Sequence, residues 1–180
     1  MKLKILALII LFGLTSSCVT LKKNNSSDQK TICLENNLKI LNGDYQLYAI
    51  DTSYRTLEFA LLHTGQYNFE NLPDSNVRIN LKVIDSKHIQ VTLYDGEDII
   101  KKKVRKGKIQ DDNFRLHTSY NIPLFWFVLN ALGIQKTQIG ILENGNLIVD
   151  TSDAGIALIV IIPVGGVRNE FYGLVFERKE

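Results

Sequence analysis

From Asn37 onward the chain alternates apolar and polar residues with a period of two, in short runs separated by turn-forming residues. That period belongs to half-buried antiparallel strands. Val77, Ile79, Leu81 and Val83 alternate with Arg78, Asn80 and Lys82, and Ile89, Val91 and Leu93 alternate with Gln90 and Thr92. Asp85-Ser86-Lys87 lies between the two runs, so the pair reads as a hairpin. Asp95-Gly96 is a second turn signal and leads into Ile99 to Lys106; Asp111-Asp112-Asn113 leads into Phe114, Leu116 and Thr118. Asn144-Gly145 separates Thr137 to Leu142 from Asn146 to Asp150, and Asp153-Ala154-Gly155 reads as a further turn. Ile156 to Val164 is nearly all apolar and β-branched, which suits a strand covered on both faces. Gly165-Gly166 reads as a turn, and Phe171 to Glu177 alternates again.

Two stretches break the alternation. Thr56 to His63 fits a short helix or a strand. Ile122 to Leu132 is apolar on all sides, holds the only tryptophan, and is followed by Gly133, which would suit a helix stop. The pattern therefore predicts an all-β domain: an antiparallel meander of about eight to ten strands closing into a barrel, with at most one or two short helices.

The first 36 residues follow a different rule. Lys2 and Lys4 precede an uninterrupted apolar run, Ile5 to Phe12, that continues to Leu14 and ends in Thr15-Ser16-Ser17-Cys18. A bilayer-spanning helix needs about 20 apolar residues. The run is about half that, as in an export signal. Small residues before a cysteine resemble a lipoprotein processing site, which would make residues 1–17 a signal peptide and Cys18 the lipid-bearing first residue. An ordinary cleaved signal with an incidental cysteine is the alternative. Val19 to Ser27 is polar with two adjacent lysines, so residues 18–36 read as a lipid-anchored tether and residues 37–180 as one domain. By resemblance to lipoprotein sorting in Gram-negative bacteria, Val19 implies the outer membrane, on its periplasmic side.

Composition narrows the function classes. Without residues 1–17, which hold two lysines and no acid, 19 basic residues face 19 acidic ones. No basic face of the kind a nucleic-acid binder needs is indicated. With Cys18 lipidated, Cys33 has no disulfide partner, and its apolar neighbours Ile32 and Leu34 suggest a small, buried or half-buried residue. His63, His88 and His117 are isolated, so no metal site is expected. Nucleophile elbow, Cys/His pair and phosphate-cradling glycine loop are all missing. Asp111 and Asp112 are too close in sequence to share an acid/base site, and Asn146, Asp150 and Asp153 lack calcium-loop spacing. The expectation is a protein without catalytic residues, metal or cofactor. The cluster Lys101, Lys102, Lys103, Arg105 and Lys106 reads as a solvated strand face or protected edge, or as a stripe for an anionic head group.

Leu41-Asn42-Gly43-Asp44-Tyr45-Gln46-Leu47-Tyr48 resembles the opening strand of lipocalin-like barrels, in which a glycine two residues before an aromatic ring lets that ring plug one end. Tyr45 stands where the family usually has tryptophan. The chain of hairpins closing with Phe171-Tyr172-Gly173-Leu174-Val175-Phe176 is similar to the lipocalin-like lipoproteins of Gram-negative bacteria. The resemblance implies a lipocalin-like barrel that binds or carries a small hydrophobic ligand, and an arginine packed beneath the barrel, which the sequence alone does not place. Tyr45, Phe125, Trp126 and Phe127 are the candidate pocket residues; the aromatic trio either lines a mouth or completes the core. The alternative is an accessory lipoprotein that docks on an envelope complex or the cell wall through an exposed edge or the basic strand.

Overall fold

Alternating residues can bury only one face of a strand, so each hairpin must find further strands to cover its apolar side. A computed structural model describes residues 31–35, 37–50, 52–62, 76–121, 124–125, 129–159 and 162–179. After a 3-10 turn over Leu38–Leu41 come β1 (Gly43–Gln46), β2 (Tyr48–Ala49), β3 (Thr52–Thr56) and the helix α1 (Leu57–Leu62). Then follow β4 (Val77–Asp85), β5 (His88–Asp95), β6 (Asp98–Gln110), β7 (Asn113–Leu116), β8 (Ser119–Asn121) and β9 (Leu124–Phe125). The long strands β10 (Leu129–Ile141), β11 (Leu147–Ile159) and β12 (Ile162–Phe176), with the short β13 (Arg178–Lys179), complete the order.

All pairings are antiparallel, and the main sheet runs β12-β11-β10-β7-β6-β5-β4-β1-β13, with β8 and β9 attached to β10. The sheet curls, and one stretch of chain serves both of its ends. β12 pairs with β11 down to Leu147↔Phe176, and two residues later Arg178 and Lys179 pair with Tyr45 and Asp44. The Gln46 amide donates to the Glu177 carbonyl at 2.8 Å and the Ile50 amide to the Val175 carbonyl at 2.8 Å. The fold is thus mostly antiparallel β, barrel-like, with one short α-helix, as the period-two pattern predicts.

The turns follow local chemistry. At β4–β5 the Lys87 amide donates to Asp85 Oδ1 at 2.7 Å, an Asx turn. At β6–β7 the two central residues Asp111 and Asp112 both have positive φ, 52° and 62°, the primed two-residue geometry that suits the twist of the flanking strands. The inward row of β4 and β5, which includes Ile79, Leu81, Val91 and Leu93, packs with Phe114, Ile139, Leu147, Val149 and Phe176 into one core. Leu34, within the expected tether stretch, is fully buried in that core, and the Ile32 amide donates to the Ile141 carbonyl at 2.8 Å.

Several local readings are corrected. Asp153, Ala154 and Gly155 form no turn: they sit inside β11, opposite Gln135, Ile134 and Gly133 of β10. Gly133 stops no helix for the same reason, and Gly165 and Gly166 lie inside β12, opposite Ala157 and Ile156. Strands on both sides supply hydrogen bonds to these backbones, and that pairing overrides weak local preference. Leu124–Phe125 and Leu129 onward are strands too. Cys33 is exposed, with its thiol 2.9 Å from Asp112 Oδ1, so it does not fill the core. That hydrogen bond to a carboxylate raises the thiol pKa above its ordinary 9.0, which disfavours the reactive thiolate.

Gly107 shows how tightly β6 and β7 pack. A Cβ there would lie 2.6 Å from Phe114 Cε1 and 2.7 Å from the Arg115 carbonyl oxygen, and the carbonyl is backbone that cannot swing away. Gly107→Ala is expected to destabilise the fold by about 1–3 kcal/mol, read as a lowered urea midpoint at unchanged m-value.

Candidate ligand-binding site

Tyr45 of β1 lies within the core. Opposite Ile79 in the sheet, Tyr45 is fully buried, and its hydroxyl donates to the Leu41 carbonyl at 3.1 Å. The Arg178 guanidinium carbon lies 6.0 Å from the ring centroid, at the reach of a cation–π contact. The same guanidinium donates to the Asn42 carbonyl. A Cβ on Gly43 would lie 2.8 Å from Arg178 Nε, so the glycine admits the arginine beneath the ring. Burial pushes the Tyr45 hydroxyl up to about 12 from its ordinary 10.0, against a lowering effect of Arg178.

Farther along the interior the wall turns polar. The inward row of β10 reads Ile141, Ile139, Thr137, Gln135, and that of β11 reads Leu147, Val149, Thr151. Gln135 Nε2 donates to Thr151 Oγ1 at 3.1 Å, and Thr137 Oγ1 lies 3.2 Å from Thr151 Oγ1. The helix α1 rests on this tier. Its first turn is capped by Thr56, whose Oγ1 accepts from the Phe59 amide at 3.3 Å. The carbonyls of its last turn have no partner within so short a helix. Gln135 Nε2 donates to the Phe59 carbonyl at 3.5 Å, Thr137 Oγ1 to that of Ala60 at 3.1 Å, and Arg105 Nη1 to that of Leu61 at 2.8 Å. Arg105 Nη2 also reaches Ser119 Oγ at 3.4 Å. Three side chains from two strands thereby hold the helix end inside the barrel.

Arg105 is not a solvated member of the basic strand: only 6% of it is exposed. Burial lowers its pKa from the ordinary 12.5. The register explains this. Lys101, Lys103 and Arg105 pair with Leu93, Val91 and Ile89, and directly opposed residues share a face. Those three partners are fully buried, and on their face of the sheet Arg105 is buried, Lys101 half-buried and Lys103 exposed. Val104 pairs with Gln90 on the other face, and Lys102, Lys106 and Lys108 are exposed. β6 pairs with β5 through residues 98–106 and with β7 only from Gly107 onward. Among the described residues, no strand pairs with the second edge of Asp98–Arg105.

A separate polar chain crosses the outer face. Arg115 Nη2 donates to Gln138 Oε1 at 3.2 Å, Gln138 Nε2 to Asp150 Oδ2 at 2.7 Å, and the Gly173 amide to Asp150 Oδ1 at 2.7 Å. Asp150 is thus a structural acceptor at the β11–β12 bulge. His88 lies 2.9 Å from Asp85 at the β4–β5 turn, and His117 is exposed. Among the described residues, no group of three or more His, Cys, Asp or Glu side chains is placed to hold a metal ion.

Of the expected pocket residues, Tyr45 is packed into the core. Phe125 lies on β9, opposite Leu129, and its side chain is not described, while Trp126 and Phe127, like Cys18, lie outside the described residues. Sequence reasoning missed Arg105, Gln135, Thr137, Thr151 and Arg178. For the first, Lys101, Lys103 and Arg105 share one parity in the sequence, but which face that parity takes is set by the register with β5. No family model, characterised protein or solved structure matches this chain.

Two outcomes follow from this geometry. Thr137→Val keeps the shape and removes the donor to a buried carbonyl, so it is expected to cost about 1–3 kcal/mol and to speed amide hydrogen exchange in Leu57–Leu62 more than in β4. The folded state keeps Tyr45 protonated to about pH 12, whereas the unfolded chain releases that proton near 10.0. The Tyr45 contribution is complete below pH 10.0 and is lost as pH rises towards 12. Urea midpoints measured on both sides of that window should fall less in Tyr45→Phe than in the parent.

Proposed function

We propose that this chain is an exported lipoprotein, anchored through Cys18, whose lipocalin-like domain binds or carries a small hydrophobic ligand at the periplasmic face of the outer membrane. The observation that carries the reading is a curled sheet served at both ends by one chain stretch and plugged at one end by Tyr45 over Arg178. Gly43, the buried ring and the arginine beneath it are the combination that the resemblance to lipocalin-like barrels implies. Arg178 is taken in this reading as that arginine.

The rest of the interior supports binding at the other end. Apolar packing gives way to the tier of Arg105, Gln135, Thr137 and Thr151, and β6 has an unpartnered edge beside it among the described residues. Beyond that tier β10, β11 and β12 continue with residues that are mostly apolar in sequence: Leu129, Ala131 and Leu132, then Ile156 to Ile159, then Ile162 to Val164. Strands of this composition suit a guest that is itself apolar.

The anchor and the cargo are tested separately. Radiolabelled palmitate should enter the full chain in a Gram-negative host and be absent from Cys18→Ser; equal labelling of the two proteins would rule the anchor out. Native mass spectrometry of the protein released from membranes should show a small adduct that organic extraction removes. A mass equal to the chain plus its anchor, before and after extraction, would overturn the carrier reading.

A further inference from the structure

We infer that the outer face of β4, β5 and β6 docks on an anionic phospholipid surface through Lys82, Lys102, Lys106 and Lys108, arranged around the side chain of Val104. The inference concerns the outside of the wall, so it goes beyond the carrier reading and does not depend on a cargo. Lys82, Gln90 and Val104 stand in one row across the three strands, and Lys102 and Lys106 flank Val104 on β6. Their chain neighbours Leu81, Val91 and Arg105 are buried on the opposite face, whereas the four lysines are exposed. With a rise of about 3.3 Å per residue and about 4.8 Å between strands, the lysines span about 20 Å along β6 and about 10 Å across to β4.

A surface that is charged only to stay in solution mixes both signs, and this one does not. No residue is acidic from Arg78 to Lys82 on β4, from His88 to Tyr94 on β5 or from Lys102 to Lys108 on β6. Of the acids at its borders, Asp44 pairs with Arg78, Asp85 with His88 and Asp111 with Arg115. Asp95, Glu97 and Asp98 gather at the β5–β6 turn, where the basic area ends. Among the described residues no ion pair reaches the four lysines. Beyond residue 17 the chain has as many acidic as basic residues, so this face is a segregation of charge within a balanced protein.

The kind of cation points to lipid. A carboxylate on a folded partner is matched by the planar fork of arginine, in fixed geometry. Both arginines at this face are already engaged, Arg78 by Asp44 and Arg115 by Asp111 and Gln138. The four free cations are ammonium groups on flexible stems, which can follow phosphates that diffuse in a plane. Val104 supplies the apolar part: it is 50% exposed at the centre of the lysines. An apolar side chain so framed enters the boundary between head groups and acyl chains while the lysine stems lie along it. Each lysine adds an attraction that salt screens.

The test combines the full-length protein, as purified from its host, with nanodiscs of phosphatidylglycerol or of phosphatidylcholine. Acetylation of each lysine by a soluble active ester is then timed by mass spectrometry. Lys82, Lys102, Lys106 and Lys108 should react about fivefold more slowly on phosphatidylglycerol, and concentrated salt should restore their rates. In Lys102→Glu/Lys106→Glu, whose strands are verified by circular dichroism, Lys82 and Lys108 should lose that protection. Equal rates on the two lipids would overturn the docking, and so would protection that survives in the variant. Protection by a soluble polyglutamate peptide as strong as that by phosphatidylglycerol would assign the face to acidic proteins and overturn the lipid surface as its partner.

Discussion

A curled antiparallel sheet leaves two rows of unpaired amide and carbonyl groups unless its edges meet. In this protein the residues from Val175 to Lys179 meet that demand at one place along the edges. Upstream they continue the β11–β12 ladder, and downstream they pair with Tyr45 and Asp44. Everything inside depends on this junction, because it turns a meander with one greasy face into a wall around a shared interior. Arg178 sits at the junction itself: its backbone pairs with Tyr45 while its side chain lies beneath the same ring and reaches the Asn42 carbonyl. Closure, plug and glycine therefore act as one unit, and disturbing any of them loosens the first and last strands together.

The interior so enclosed is divided. Near the plug it is packed with aliphatic and aromatic side chains, including Leu41, Phe114, Ile139 and Phe176. Beyond them lies the tier of Arg105, Gln135, Thr137 and Thr151, which holds the last-turn carbonyls of α1. Buried polar groups are tolerated only when hydrogen-bonded. The helix and the tier satisfy one another, since a six-residue helix has few internal bonds and the tier would otherwise face an apolar interior. Leucines at these positions would leave the last-turn carbonyls of α1 without these donors.

The strand pattern was legible because period two is a backbone property: Val77 to Val83 and Ile89 to Leu93 alternate whatever they pair with, and Asp85-Ser86-Lys87, Asp95-Gly96 and Asp111-Asp112 carry turn chemistry within a few residues. Errors arose where the same local signals were outvoted. Asp153-Ala154-Gly155 and Gly165-Gly166 have turn composition, yet both lie within long strands because neighbours on either side complete their hydrogen bonds. Cys33, flanked by Ile32 and Leu34, had the setting of a core residue; the strand-like alternation that buries Leu34 turns Cys33 outward towards Asp112.

By itself, then, the sequence determined the class of element, most of the hairpins, and the short helix as one of two options, because each depends on residues near one another along the chain. Only tertiary structure decided that Arg178 packs beneath Tyr45, that Gln135, Thr137 and Arg105 hold α1, and that half of a lysine-rich strand faces inward. Those facts depend on register and closure between segments as far apart as 133 residues, the separation of Tyr45 from Arg178. A shift of one residue between β5 and β6 would exchange the inner and outer faces of the basic strand, and no pattern within that strand carries the information that sets its register.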